Sequence, residues 1–127
     1  NKNEVINIDN INQPRISEKY VLLYTSTWGE KAPVTSKPSV YISIKNNKIS
    51  ESTDFAGALL NAGKRNGLPM KRIAQAPFFV LRGAGMPAVL LELGFVTNPN
   101  ESRLLSQPAY QQKIALAMTE GIMNYLR

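Results

Sequence analysis

The sequence predicts a single α/β domain, in which a mostly parallel or mixed central sheet is flanked by helices. Residues 77–81 and 87–92 form two nearly continuous apolar runs, which are typical of strands covered on both faces. Predicted strands alternate with segments whose apolar residues have helical spacing, and this order indicates helices layered on a sheet. The chain has 127 residues, which is enough for one domain with one hydrophobic core.

In the N-terminal half, the pattern predicts strands and one helix. Residues 4–9 alternate apolar and polar side chains, which indicates a short strand. Residues 16–24 favour a helix with Ser17 as its N-cap, and a strand is the alternative. Residues 28–38 contain one Gly and two Pro and are predicted to be a loop, whereas residues 39–45 are rich in β-branched and aromatic side chains and indicate a strand.

The C-terminal half predicts three helices. The first begins at Ser50 or Ser52 and stops before Gly67, a residue suited to a left-handed helix end. A short helix begins at Asn98, with Pro at the first helical position and Glu101 at the third, which is a capping-box arrangement. The last helix is expected to pack on the sheet through an apolar face formed by Tyr110, Ile114, Ala117, Met118, Gly121, Ile122 and Tyr125.

The charge of the chain suits either an anionic partner or a solvated basic surface. The sequence has 15 Lys and Arg against 9 Asp and Glu, a net charge of +6 and a pI near 9.7. Nucleic acid, an anionic membrane surface and an anionic wall polymer are the partner classes that such a charge suits, and a solvated basic surface is the plain alternative. No basic stripe with interleaved aromatic residues is present, so nucleic acid is not the predicted partner.

The composition also argues against a membrane-spanning helix, disulfides and thiolate metal sites. No apolar run approaches the roughly 20 residues that a membrane-spanning helix needs. The absence of Cys excludes disulfides and thiolate metal sites, and the chain also contains no His. Because it begins at Asn1 without Met and without an apolar signal segment, we expect either a mature form or a piece of a longer protein.

The most informative motif lies at residues 87–98, which read Pro-Ala-Val-Leu-Leu-Glu-Leu-Gly-Phe-Val-Thr-Asn. With Val-Leu-Arg before it and a Glu-containing helix and a Tyr-containing last helix after it, this motif resembles the zinc-dependent N-acetylmuramoyl-L-alanine amidases. These enzymes cut the bond between N-acetylmuramic acid and the L-alanine of peptidoglycan stem peptides. The resemblance is specific over about residues 50–127 and looser before them. It implies an amidase-like α/β fold without the family's first strand, whose Gly-His-Gly-Gly loop has no counterpart here.

The resemblance implies a role for Glu92, which stands at the position of the family's catalytic glutamate, the general base and acid. For an isolated Glu, a strand-end carboxylate that caps the Gly94 turn or pairs with a basic residue would be the simpler interpretation, but the surrounding motif favours descent from the catalytic residue. In the family, two His and one Glu hold the zinc. This chain lacks His, so no metal site and no cofactor are predicted.

Two alignments are open for the missing zinc ligand. In the first, residues 40–47 resemble the family segment Phe-Ile-Ser-Ile-His-Ala-Asn, and Lys45 takes the place of the ligand His. We then hypothesise that Lys45 and Glu92 form an ion pair that replaces the metal, and a Lys45 that points to solvent is the alternative. In the second, residues 21–27 fill the ligand strand and put Tyr24 or Thr25, both poor zinc ligands, near the ligand position.

Polar side chains near the predicted strand ends are candidate substrate-binding groups, namely Asn46, Asn47, Arg82 and Asn98. Asn at such places is more often a turn residue.

Three functions follow from the resemblance. The first is an amidase-like domain of the bacterial envelope that has lost hydrolysis, a pseudoenzyme that binds peptidoglycan or an envelope protein in the periplasm or cell wall. The second is a fragment of an active zinc amidase that hydrolyses peptidoglycan, with metal ligands on another segment. The third is a structural assembly domain that uses the fold for its surface.

Overall fold

The computed structural model describes residues 4–7, 20–28, 38–43, 48–76, 81 and 84–127. Five strands lie in these residues: β1 (Glu4–Asn7), β2 (Tyr20–Trp28), β3 (Ser39–Ser43), β4 (Ile73–Ala76) and β5 (Ala88–Phe95). The helices described are α1 (Ile49–Arg65), α2 (Pro99–Leu105) and α3 (Pro108–Leu126). None of these helices combines the length and apolar character needed to cross a bilayer.

The strands form one mixed sheet in the order β1-β2-β5-β3-β4, with β5 at its centre. β2 runs parallel to β5, whereas β3 runs antiparallel to β5 and parallel to β4. β1 lies at one edge, antiparallel to β2. The carboxyl ends of β2 and β5 therefore meet at the same edge of the sheet, together with the beginning of β3. The predicted α/β class with a mixed, helix-flanked sheet is confirmed.

Several element predictions are confirmed and others are wrong. Strands occur within residues 4–9, 39–45 and 87–92 as predicted. Residues 20–24 belong to β2, so the helix predicted there is wrong and its strand alternative is right, because β1 and β5 pair with this segment from both sides. β4 was not predicted. Of the strand predicted at residues 77–81, Leu81 is described and has helical backbone, whereas residues 77–80 lie outside the described residues.

The two faces of the sheet carry different apolar clusters, as the two-residue period of a strand requires. On the face that α1 covers, the core includes Val21, Leu23, Val40, Ile42, Val89 and Leu91. The opposite face carries a smaller cluster of Leu81, Ala88 and Leu90, against which Tyr41, Ala84 and Met86 pack. β5 contributes to both clusters in alternation, which explains why its sequence is almost continuously apolar.

Helix α1 departs from the prediction at its beginning but not at its end. Its N-cap is Lys48, which makes no side-chain capping bond, so the predicted caps Ser50 and Ser52 do not cap it. Its C-terminal end follows the prediction, since Gly67 has φ of 79° and the Leu68 N–H donates to the Gly63 carbonyl at 2.9 Å.

Ser52 is fully buried and links α1 to the start of β5. Its Oγ accepts a hydrogen bond from the Ala88 backbone N–H at 3.0 Å. Ser52→Ala is expected to cost about 1–3 kcal/mol in the free energy of unfolding, because it leaves a buried N–H without a partner. The matched control is Thr53→Ala, which removes an exposed hydroxyl that donates to the Ile49 carbonyl on the same helix. Urea titration should separate the two variants, and an equal cost for both would contradict the assigned role of Ser52.

Helix α3 packs on α1, whereas the sequence places its apolar face on the sheet. The predicted face is largely right, since Tyr110, Ala117, Met118, Gly121 and Ile122 are all buried. At the far end of α1, the Arg65 Nε donates to Glu120 Oε2 at 2.7 Å. This hydrogen bond, with a second from Asn66, lowers the pKa of the exposed Glu120 carboxyl.

Candidate functional site

The candidate site is built around Glu92, near the carboxyl end of the central strand β5. Its neighbours Leu91 and Leu93 point to the core beneath α1, so Glu92 lies on the opposite face with Ala88 and Leu90. The residue is only 4% exposed. A carboxylate at this depth is stable as an anion only beside a cation, a metal or hydrogen-bond donors, so its surroundings decide its chemistry.

Two serines lie level with Glu92 on the neighbouring strands. Ser39 of β3 is paired directly with it across the antiparallel ladder and is itself buried. Ser26 of β2 is the backbone partner of Glu92 in the parallel β2–β5 ladder. Residues paired in this way have Cβ atoms about 4.5–5.5 Å apart on one face of an antiparallel sheet. Ser39 therefore borders the site on the same face of the sheet as Glu92.

The backbone changes course immediately after Glu92. The β2–β5 register pairs Ser26 with Glu92 but Thr27 with Gly94, so β5 carries one extra residue at Leu93, which is a bulge. Gly94 then has φ of 150°, a conformation that L residues rarely adopt. Such bulges redirect side chains and are common beside active sites.

The turn after β5 is held by a different carboxylate from the one that the sequence suggests. The Phe95 N–H donates to Glu101 Oε1 at 3.0 Å, so Glu101 ties the turn beyond Gly94. The capping-box prediction is therefore half right. Asn98 caps α2 by accepting from the N–H groups of Asn100 at 3.0 Å and Glu101 at 3.1 Å, but Glu101 reaches back past Asn98 to Phe95.

The other predicted site residues are only partly placed. The described residues do not include Lys45, Asn46, Asn47 and Arg82. The Lys45–Glu92 ion pair and the substrate-binding roles of the other three residues therefore stay predictions. The oxygen of Asn98 serves helix capping, and its contact with a substrate also stays a prediction.

Strand directions distinguish the two alignments of the ligand strand. A ligand at the end of a strand meets Glu92 only if that strand runs parallel to β5. β3 is antiparallel, so its first residue, Ser39, is level with Glu92 and its last, Ser43, lies towards the other edge. β2 is parallel and places Tyr24 and Thr25 beside Leu90 and Leu91 of β5. The topology therefore favours the alignment in which β2 is the ligand strand.

The described part of the chain brings no set of zinc ligands to Glu92. Zinc in proteins takes three or four His, Cys or carboxylate ligands. Among the residues with described positions, no three His, Cys, Asp or Glu come together in a group that could hold a metal. The described side chain at the level of Glu92 on β3, Ser39, offers a neutral hydroxyl.

A small apolar groove of about 180 Å³ lies beside the carboxyl end of β5, and no sequence pattern indicated it. Glu101 contributes a carboxylate to a lining that is otherwise formed by Pro38, Pro69, Leu93, Leu104, Leu105 and Tyr110. Burial raises the pKa of the Tyr110 hydroxyl, and the nearby Glu101 charge raises it further. Leu93 lies on the α1 face of the sheet, so the groove and Glu92 belong to opposite faces.

Comparison with known proteins identifies the fold and the sequence pattern. The sequence model of the family described as N-acetylmuramoyl-L-alanine amidase (Amidase_3) matches residues 30–124. N-acetylmuramoyl-L-alanine amidase AmiA of Escherichia coli strain K12 is 47% identical over 83 residues, which cover 65% of this chain and 29% of AmiA. The catalytic domain of CwlV, an N-acetylmuramoyl-L-alanine amidase from Bacillus (Paenibacillus) polymyxa var. colistinus, superposes with a TM-score of 0.72 at 27% identity, covering 84% of this chain and 57% of that one.

A further structure shares the fold at lower identity. The CwlD amidase from Clostridioides difficile, solved in complex with the GerS lipoprotein, has a TM-score of 0.70 and 22% identity, covering 94% of this chain and 57% of CwlD. The chain thus spans less than a third of AmiA and just over half of each structure. The family match extends over three quarters of the present sequence and includes the Glu92 motif, and the chain belongs to the N-acetylmuramoyl-L-alanine amidase family.

Proposed function

We propose that this chain forms part of an amidase-like domain of the bacterial cell envelope that binds peptidoglycan stem peptides without cleaving them. The observation that supports the proposal is the contrast at the site. Glu92 keeps its place, buried at the carboxyl end of β5 beside the parallel strand β2. The zinc ligands that the family uses do not accompany it, because the whole sequence contains no His.

The chemistry explains why Glu92 alone does not suffice for hydrolysis. In this family the metal acidifies a water molecule, and the glutamate moves its proton. Proton transfer by a positioned side chain contributes about 10²–10⁴-fold, whereas enzymes typically accelerate reactions by about 10⁶-fold or more. Without an activated water, Glu92 accepts hydrogen bonds from N–H groups of a stem peptide. Burial strengthens such bonds, because little water competes for the carboxylate.

Two other candidates rest on specific observations. The relatives are longer than this chain, so a further segment could supply zinc ligands, and the protein would then be an active amidase. That candidate needs a substitute for the ligand His, because both alignments lack it. The second candidate is binding or assembly with an envelope protein, in the way that CwlD, which has this fold, is found with a lipoprotein. In all three cases the proposed location is extracytoplasmic, in the periplasm or cell wall.

The experiment combines three measurements on the purified chain: zinc content, release of stem peptides from peptidoglycan, and sedimentation with insoluble cell wall. We expect binding to the wall without peptide release and without stoichiometric zinc. Stoichiometric zinc with release of stem peptides would establish the active amidase instead. Failure to sediment with the wall would leave the assembly role as the better explanation.

Glu92→Gln tests whether Glu92 takes part in that binding. Gln keeps the shape but removes the charge, and a hydrogen bond to a charged group is worth about 1–2 kcal/mol more than a neutral one. We therefore expect wall binding to weaken by about tenfold. The matched control is Glu51→Gln, in the first turn of α1, where the carboxylate is exposed. Unchanged binding by Glu92→Gln, or an equal loss in the control, would show that the cleft at Glu92 does not bind the peptide.

A further inference from the structure

We propose that Glu101 is a positioning residue for Glu92: its carboxylate holds the bulged carboxyl end of β5, which directly follows Glu92, and so keeps the bulge from moving onto Glu92. The proposal rests on the proposed function in one respect, namely that Glu92 is the group that meets the ligand. Glu101 itself lies on α2 and does not need to contact the ligand.

The first support is the geometry of the turn that follows β5. Phe95 is bonded through both of its backbone groups, since its N–H donates to Glu101 Oε1 at 3.0 Å and its carbonyl accepts from the Asn98 N–H at 3.0 Å. The second bond closes the turn locally. The first bond connects the turn to α2 and fixes where α2 lies relative to the strand.

The second support is the fit between Glu101 and Gly94. A Cβ placed on Gly94 would lie 2.7 Å from Glu101 Oε1 and 3.4 Å from Leu105 Cδ1. Side-chain atoms of α2 therefore occupy the space that any residue other than Gly would need. The φ of 150° at Gly94 is also one that other residues rarely adopt. The contact between Gly94 and Glu101 thus requires that residue 94 has no Cβ and that residue 101 carries a carboxylate.

The third support is the weak attachment of α2 by apolar packing. None of its residues is buried, and Leu105 is its partly buried contact with the main core. The helix has seven residues, and isolated helices of that length are not stable in water. The charge-assisted hydrogen bond that Glu101 accepts from the Phe95 N–H therefore helps to fix α2 against the end of β5.

Glu92 responds to this contact because of its position in the bulge. It lies three residues before Phe95, and the extra residue Leu93 lies between Glu92 and Gly94. A slip of one residue in a strand moves a side chain to the other face of the sheet. If the Phe95–Glu101 bond is lost, the bulge can shift or straighten, and Glu92 changes its direction without any change in its own chemistry.

The test uses the full chain labelled with ¹³C at Glu side chains, in Glu101→Ala and Glu101→Gln. Glu101→Ala should speed hydrogen exchange at the Phe95 amide by about 10–100-fold, the value of a hydrogen bond to a charged group, and should shift the carboxyl-carbon resonance of Glu92. Glu101→Gln keeps an acceptor oxygen and should restore both signals towards wild type. Glu51→Ala, on the exposed first turn of α1, is the control that should change neither.

A second variant covers the case in which Glu101→Ala does not fold. Gly94→Ala leaves Glu101 intact but places a Cβ against its carboxylate, and it should displace the Glu92 resonance in the same direction. The proposal is overturned if Phe95 exchanges faster while the Glu92 resonance stays in place, since Glu101 would then serve stability alone. Binding of a soluble N-acetylmuramoyl peptide is measured separately: a wild-type chain that does not bind it defeats the proposed function, whereas the resonance shift tests the role of Glu101.

Discussion

Replacing Phe55 with Ala should lower the free energy of unfolding by about 3–5 kcal/mol, the usual cost of removing a buried aromatic ring. The ring is 0% exposed and lies on the face of α1 that packs on the sheet. Its centroid is 5.1 Å from that of Tyr125 on α3, with the two ring planes tilted by 37°. Phe55 therefore joins α1, α3 and the sheet within one core, and its loss removes packing from all three.

The size of this effect matters because domains of this kind are stable by only about 5–15 kcal/mol. Urea unfolding followed by circular dichroism measures it directly. Phe55→Leu keeps most of the apolar volume and should cost much less, whereas Leu116→Ala, at a site on α3 that is 55% exposed, should change stability little. A cost below about 1 kcal/mol for Phe55→Ala would mean that the core between α1, α3 and the sheet is not packed as described.

The helices of this fold were predictable from sequence because their signals are local. The apolar spacing from Phe55 to Leu59 and from Tyr110 to Ile122 marks one face of each helix, and Gly67 marks a helix end. What those faces pack against is not a local property. The sequence places α3 on the sheet, whereas α1 is its main contact.

The strands were less predictable, because pairing decides them. In the sequence, Ser17 suggests a helix N-cap before residues 20–24, yet β1 and β5 bond to these residues on both sides. Ser52 is a similar case. A serine near a helix start suggests an N-cap, but the Ser52 Oγ accepts a hydrogen bond from the buried N–H of Ala88. The sequence of the helix alone does not indicate this partner.

At the candidate site, too, the sequence predicts what depends on local residue types and misses what depends on strand pairing. The motif around Glu92 predicts it as the site residue, and the structure places it buried near the end of β5, while its role stays a prediction. The sequence could not show which strand runs parallel to β5 beside Glu92. Residues 40–47 match the ligand segment by residue type, yet β3 runs antiparallel to β5. Sequence similarity records residue types along a strand, whereas meeting at one edge of a sheet depends on strand direction.

Gly121→Ala should destabilise the fold by about 1–3 kcal/mol, although Ala normally favours a helix over Gly. A Cβ on Gly121 would lie 2.9 Å from Leu59 Cδ2, 3.0 Å from Leu59 Cα and 3.2 Å from the Ala58 carbonyl oxygen. The Leu59 methyl group can rotate away, but the two backbone atoms of α1 cannot. To accommodate one methyl group, α1 and α3 must separate, and the contacts along both helices loosen together.

Gly57→Ala is the matched control, since Gly57 lies inside α1 and a Cβ there would meet no atom within 4 Å. The same substitution should stabilise the fold by about 0.5–1 kcal/mol at Gly57, because only the helix preference changes. Opposite signs for the two variants in thermal or urea unfolding isolate the steric effect of the α1–α3 contact from helix propensity. If Gly121→Ala is stabilising as well, the backbone of α1 does not lie within about 3 Å of the Cβ at position 121. The position of α3 on α1 would then be wrong.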